Sequence, residues 1–159
     1  MSVQTAAGSK IFIGPVNSTA NSAAEYEALA YTLIGEVTDV GEFGDTFRTT
    51  SHTAISDRRE RLFKTSKSAG TLALQLGRDP DDAGQAALKA ARDSDSNYAF
   101  MIQQNDPGVS GSPANPTTHF FRALVLGFTT SIGNSENVIG ASCQVAINSD
   151  VVEVPAVTD

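Results

Sequence analysis

The chain has 159 residues, 40% of them hydrophobic and 18% charged, with a net charge of −7 and one cysteine. That is one globular domain, residues 1–159, able to bury a single core, and its acidity argues against a surface that grips phosphate backbones. Cys143 alone excludes an intrachain disulfide, and with only His52 and His119 beside it a metal or cofactor has little to bind, so none is expected.

No apolar run approaches the roughly 20 residues of a membrane-spanning helix. Met1–Thr5 shows neither a basic patch nor an apolar stretch, so no secretory signal is read there. The expectation is a soluble protein made in a cytoplasm, without a membrane partner.

Charge is unevenly placed. Glu42 to Lys67 holds six basic residues against four acidic ones, a net +2, and the rest holds five against fourteen, a net −9. A basic arm on an acidic body suits association between copies of one chain.

In chain order, Ser9 to Ile13 predicts a short strand closed by Gly14-Pro15. Val16 to Ala28, rich in Ser, Asn and Ala, predicts a loop with room for one weak helical turn. Tyr31 to Val40 alternates as one strand. Glu42 to Lys67 has no sustained period and is too long for an ordinary connection, since structureless loops beyond about 12–15 residues are usually functional or disordered. Thr71 to Leu76 then predicts a strand with Leu72, Leu74 and Leu76 on one face.

Asp79-Pro80-Asp81-Asp82 predicts a helix start, with Asp79 and Asp82 as capping carboxylates and Pro80 in the first turn. The helix spans about 80–94 and turns Ala83, Ala86, Ala87 and Ala90 toward a sheet. Asn97 to Gln103 predicts a strand with Tyr98, Phe100 and Ile102 on one face. Asn105 to Pro116, with three prolines and two glycines, predicts a long hairpin connection. Thr118 to Thr130 is a long strand with Phe120, Leu124, Leu126 and Phe128 on one face and Phe121, Ala123 and Val125 on the other. Asn137 to Asn148 places Ile139, Ala141, Cys143, Val145 and Ile147 inward. Val151 to Val154 adds a terminal strand within a C-terminal tail, 151–159. The fold class is mostly β: an antiparallel sandwich or barrel-like domain with one flanking helix and a long extended loop at about 42–67.

Catalytic motifs are absent: there is no phosphate loop, dinucleotide fingerprint, zinc-protease pair or nucleophile elbow. His119 reads as a strand-end polar residue and Cys143 as a buried structural thiol. The run Asp57-Arg58-Arg59-Glu60-Arg61 beside Leu62 and Phe63 combines arginines with apolar anchors, as interface cores do.

Three stretches, in this order, resemble the major tail tube proteins of long-tailed bacteriophages. They are Ile34-Gly35-Glu36-Val37 running to Gly41-Glu42-Phe43-Gly44, with Tyr31 as the upstream aromatic; the Thr/Ser-rich arm closing on Lys67-Ser68-Ala69-Gly70-Thr71-Leu72-Ala73-Leu74; and Asp81-Asp82-Ala83-Gly84-Gln85-Ala86-Ala87-Leu88. The resemblance implies a non-enzymatic subunit of hexameric rings, stacked into a tube that conducts DNA without holding it tightly. It implies tape-measure and tail-tip initiator proteins as partners and a place in the virion tail. The inter-ring contact falls on 42–67, with Arg48, Asp57, Arg58, Arg59, Glu60, Arg61, Leu62, Phe63 and Lys64 as its residues. Segments 16–28 and 105–116 look longer than a minimal member needs and are expected on the tube exterior or at ring contacts, and the bore is expected to carry small polar and acidic side chains. A ring subunit of a contractile injection tube and a carbohydrate-binding sandwich of a tail tip are the alternatives. The second wants exposed aromatics, and the chain has no Trp and three Tyr.

Overall fold

The computed structural model describes residues 5–105 and 116–156. Its elements are β1 (Lys10–Val16), α1 (Ala23–Glu27), β2 (Thr32–Leu33), β3 (Val37–Asp39), β4 (Thr46–Thr53), β5 (Glu60–Ser68), β6 (Thr71–Gly77), α2 (Ala83–Arg92), β7 (Tyr98–Gln103), β8 (Thr118–Ser131), β9 (Gly140–Ile147) and β10 (Val152–Val154). Eight strands form one curled antiparallel sheet in the order β2-β1-β7-β8-β9-β6-β3, with β10 on β8, and β4 and β5 form a separate two-stranded ribbon. The architecture is the barrel-like form of the expectation, a half-barrel of one sheet.

Alternation creates the core. Leu72, Leu74 and Leu76 of β6, Cys143 and Val145 of β9, Phe100 and Ile102 of β7, and Phe121, Ala123 and Val125 of β8 are buried together on the concave side. Full burial of a Leu, Ile or Phe is worth about 1.5–3 kcal/mol. Helix α2 closes this side through Leu88 and Ala91.

The helix differs from expectation in three ways. It starts at Ala83 with Asp82 as N-cap, the Asp82 side chain accepting from Gln85 N. Asp79 lies outside it and accepts from Asp81 N instead. Its buried face is Gly84, Gln85, Leu88 and Ala91, not the alanine stripe, because the close approach is made by a glycine. A Cβ at Gly84 would stand 2.2 Å from Leu33 O, so only glycine lets the helix reach the link between β2 and β3.

That link is why Tyr31 to Val40 is two strands. β2 pairs with β1 at one end of the sheet and β3 with β6 at the other, so the chain from Ile34 to Glu36 crosses the gap. Glu36 takes a positive φ of 59° at the corner. Asp82 Oδ2 accepts from Gly35 N (3.1 Å), and Gln85 Nε2 donates to Gly77 O (2.8 Å) and Gly35 O (3.3 Å). Gln85 Oε1 accepts from Asp79 N and Arg78 Nη1. Gln85 is 1% exposed, and these four partners satisfy an amide that would otherwise cost about 1–3 kcal/mol to bury.

Other corrections have local causes. β1 runs on through Gly14-Pro15 to Val16, with a register shift between Ile13 and Val16 that accommodates the proline. β8 has a bulge between Val125 and Gly127, which sends Leu126 to solvent and brings Phe128 into the core. Ile139 precedes β9 and is 45% exposed. The 105–116 connection lies almost wholly outside the described residues, as do 157–159 of the tail and 1–4 of the N-terminus.

Segment 16–28 contains α1 and covers part of the sheet's convex face. Tyr26, fully buried, stacks on Phe120 at 5.5 Å between centroids. Ala20 and Ala99 complete this second cluster. Arg122 of β8 fastens the segment by donating to Ser18 O and to Asn21 Oδ1.

Candidate assembly interface

The irregular arm expected at 42–67 is a β-ribbon. β4 and β5 pair from Thr46↔Ser68 to Thr53↔Glu60, with one register shift between Phe47 and Thr49. Every residue of both strands is exposed. A strand packed on nothing has no inside, so no apolar alternation marks it in sequence. An isolated hairpin is marginal in water.

Side-chain direction divides the ribbon. Phe47, Lys64 and Leu62 share one face, where Lys64 Nζ sits 4.8 Å from the Phe47 ring centroid. Phe63, paired with Thr50, and Arg61, paired with His52, share the other. The tip turns at Ala54–Arg59. Ile55 is 100% exposed there, Arg58 has a φ of 55°, and Arg61 pairs with Asp57 at 2.6 Å. Arg48 and Glu60 lie on the strands, and Arg58 and Arg59 project from the tip. His52 therefore stands on a solvent-exposed ribbon with no pocket around it.

Both roots of the ribbon carry a glycine at positive φ, Gly44 at +145° and Gly70 at +79°, and no atom lies within 4 Å of a Cβ built on either. Root and body are joined by the ion pair of Lys67 Nζ with Asp150 Oδ1 at 2.6 Å and by Gly70 O, which accepts from Ile147 N at 3.0 Å. The hydrogen bond to Asp150 raises the Lys67 pKa.

The part of the convex face left bare by segment 16–28 spans β3, β6, β9 and the distal half of β8. Thr38, Thr71, Ala73, Gln75, Ser142 and Gln144 lie on it, with Gln75 Nε2 donating to Ser142 Oγ at 3.2 Å. Leu126 and Thr129 extend it along β8. None of these side chains is ionisable.

The remaining chemistry-bearing residues are structural in setting. His119 stands at the start of β8, as expected, and is buried there: it is 8% exposed, edge-on to Phe43 at 5.0 Å, with Gln104 Nε2 2.9 Å from its Nε2. Cys143 is fully buried, and desolvation pushes its thiol up to about 12. Among the described residues no three His, Cys, Asp or Glu converge as a metal site, and no helix is long and apolar enough to cross a membrane. Gln85 is the structural residue that sequence reasoning missed. Its one signal was the amide in the middle of the buried helix face.

The body is a curled half-barrel that carries an exposed two-stranded ribbon and a wide, mainly polar sheet face. The chain belongs to the phage tail tube protein family, whose model matches residues 15–109. The virion tail is the setting that this family implies.

Solved structures share the fold at low identity. A chain of the six-fold symmetrised baseplate of the anti-feeding prophage is 14% identical with a TM-score of 0.69, covering 98% of each chain. A chain of the sheath/tube terminator of the extracellular contractile injection system PVC in its extended state is 8% identical with a TM-score of 0.69, covering 97% of this chain and 98% of that one. The SPP1 tail tube is 14% identical with a TM-score of 0.62, covering 95% of this chain and 78% of that one. No curated protein matches the sequence.

Proposed function

We propose that six copies of this subunit form a ring, that rings stack into a hollow tube for DNA passage, and that the β4–β5 ribbon is the contact between rings. The carrying observation is the ribbon itself: seventeen strand residues project from the body with every one exposed. Its apolar anchors Leu62 and Phe63 are 67% and 52% exposed, a cost that only burial against another surface offsets. Arg48, Arg58, Arg59, Arg61 and Lys64 give it positive charge, complementary to an acidic body, with Asp57 and Glu60 as the counter-charges. The family supports a structural, non-enzymatic role. A tape-measure protein and a tail-tip initiator are the further partners of this reading, which has the subunit made in the host cytoplasm.

The bare convex face supplies the bore surface in this proposal. It carries mainly hydroxyl, amide and methyl groups, with Asp39 opposite Gln75 in the β3–β6 register. Surface charges act over about 8 Å at physiological salt, so a wall without basic clusters lets a polyanion slide. Segment 16–28 lies on the other half of that face and is placed away from the bore.

Deleting Thr50 to Lys64 tests the contact. The expected product keeps the far-ultraviolet circular dichroism of a folded β domain and forms no tubes by negative-stain microscopy. Normal tubes from the deletion would end the proposal for the ribbon. Tight retention of DNA by assembled wild-type tubes at physiological salt would end it for the bore.

A further inference from the structure

The sheet is closed at one end by the Ile34–Glu36 link and stands open beside it. The opening is a cleft of about 780 Å³ bounded by β1 and the residues before it, β2, β3 and the turn after it, and the end of β7 with Gln104 and Asn105. Its apolar lining includes Ile11, Ile34, Val40 and Phe43, and its mouth carries Glu36 and Asp39. Both carboxylates are exposed and neither forms an ion pair among the described residues. Lys10 stands on the opposite wall. β3 pairs with β6 only, so its other edge is free along the same cleft.

The ribbon tip has the opposite character. Ile55 is its outermost apolar side chain and is wholly exposed. Arg58 and Arg59 follow within four residues, and neither side chain has an ion pair among the described residues. A strand the length of β4, eight residues, reaches roughly 26 Å, far enough to carry the tip to another subunit.

We propose that the cleft between β1 and β3 is the receptor for the ribbon tip of a second copy of this chain. Ile55 packs on the apolar side chains of the cleft, Arg58 and Arg59 pair with Glu36 and Asp39 at its mouth, and the tip backbone lies along the free edge of β3. The inference rests on the ring-stacking reading and names the surface that it leaves open. Two observations carry it: a cleft on the body with Ile11, Ile34, Val40 and Phe43 in its lining and the carboxylates Glu36 and Asp39 at its mouth, and an apolar residue on the arm beside two arginines without an ion pair among the described residues. The β8–β9 turn, with exposed Ile132, Val138 and Ile139, is the competing surface, but the cleft that Val138 and Ile139 line is smaller, about 310 Å³, and has no carboxylate to meet Arg58 and Arg59.

Cysteine crosslinking tests the placement without altering charge, because the native Cys143 is fully buried. Ile55→Cys subunits are co-assembled with Val40→Cys subunits and oxidised. The expected result is a covalent dimer that appears only in assembled tubes, with no dimer when Val138→Cys replaces Val40→Cys. In parallel, Glu36→Lys/Asp39→Lys raises the protein concentration needed for tubes about tenfold or more, as loss of a central charged contact does. Combining it with Arg58→Glu/Arg59→Glu restores assembly. Circular dichroism confirms that the lysine variant is folded.

Tubes that form without the Val40 crosslink and tolerate the lysine pair would overturn the cleft while leaving ring stacking intact. A dimer through Val138→Cys would do the same. If Thr50–Lys64 deletion leaves tubes unchanged, the ribbon reading fails and the cleft proposal fails with it.

Discussion

The body and the ribbon are built from similar residues to opposite ends. In the body, Phe100, Phe121, Leu72 and Leu74 are fully buried, and a polar amide is buried as well because four partners meet it. In the ribbon, Phe47, Leu62 and Phe63 keep from just under half to two thirds of their surface in water, and cross-strand pairing is their main support. Burial explains the first and cannot explain the second. In the proposed stack those exposed apolar groups contribute their energy at the contact between rings rather than within the subunit.

Substitutions sharpen the contrast, beginning with the largest expected change in stability. Phe121→Ala in the body should cost about 3–5 kcal/mol in urea unfolding, and tubes are lost because the subunit unfolds. Gln85→Leu should cost about 1–3 kcal/mol, since Gly35 O and Gly77 O lose their donor and Asp79 N its acceptor, measured in the same way.

Alkaline pH should weaken the body next. The Cys143 thiol is pushed up to about 12 by burial, from an ordinary value near 9. The folded state therefore holds its proton more tightly than the unfolded state does. Stability present below about pH 9 falls as pH rises toward 12, by up to about 1.4 kcal/mol per pH unit. Tyr31, whose pKa burial also raises, acts in the same direction. Unfolding midpoints measured from pH 8 to 11 check this, and a flat profile would contradict it.

Phe63→Ala inverts the pattern. Its effect on the unfolding midpoint should stay within about 0.5 kcal/mol, while tube formation in sedimentation assays drops sharply. Asp150→Asn, at the exposed tie to Lys67, should leave the midpoint unchanged. Equal effects of Phe121→Ala and Phe63→Ala on stability would erase the distinction between the two regions.

How far these regions can be read in sequence follows from the same difference. β6, β7 and β9 are half-buried strands, so Leu72-Leu74-Leu76 and Cys143-Val145-Ile147 announce their inward faces by alternation. The ribbon has no inward face, so its composition and charge were legible and its strands were not. The α2 start was displaced by three residues because Asp79 and Asp82 are equally good caps in isolation. What selects Asp82 is Gly35 N, 47 residues away. The bulge at Leu126 was hidden for a similar reason: it depends on register with β9. As for the interface, the arginines and apolar anchors of the arm stood out as a run. The cleft did not, because Ile11, Val40 and Phe43 are brought together only by sheet curvature.

The two glycines at the ribbon's roots have a consequence for any structure made of many such subunits. A long cylinder under lateral load stretches on one side and shortens on the other, and rigid joints would crack or resist. In the proposed stack, Gly44 and Gly70 are the points where each joint can pivot, because glycine alone moves freely through the positive φ they hold. Stiffness along the whole filament would then be set by two residues in each copy, and a bulkier residue at either would be expected to make it straighter and more brittle.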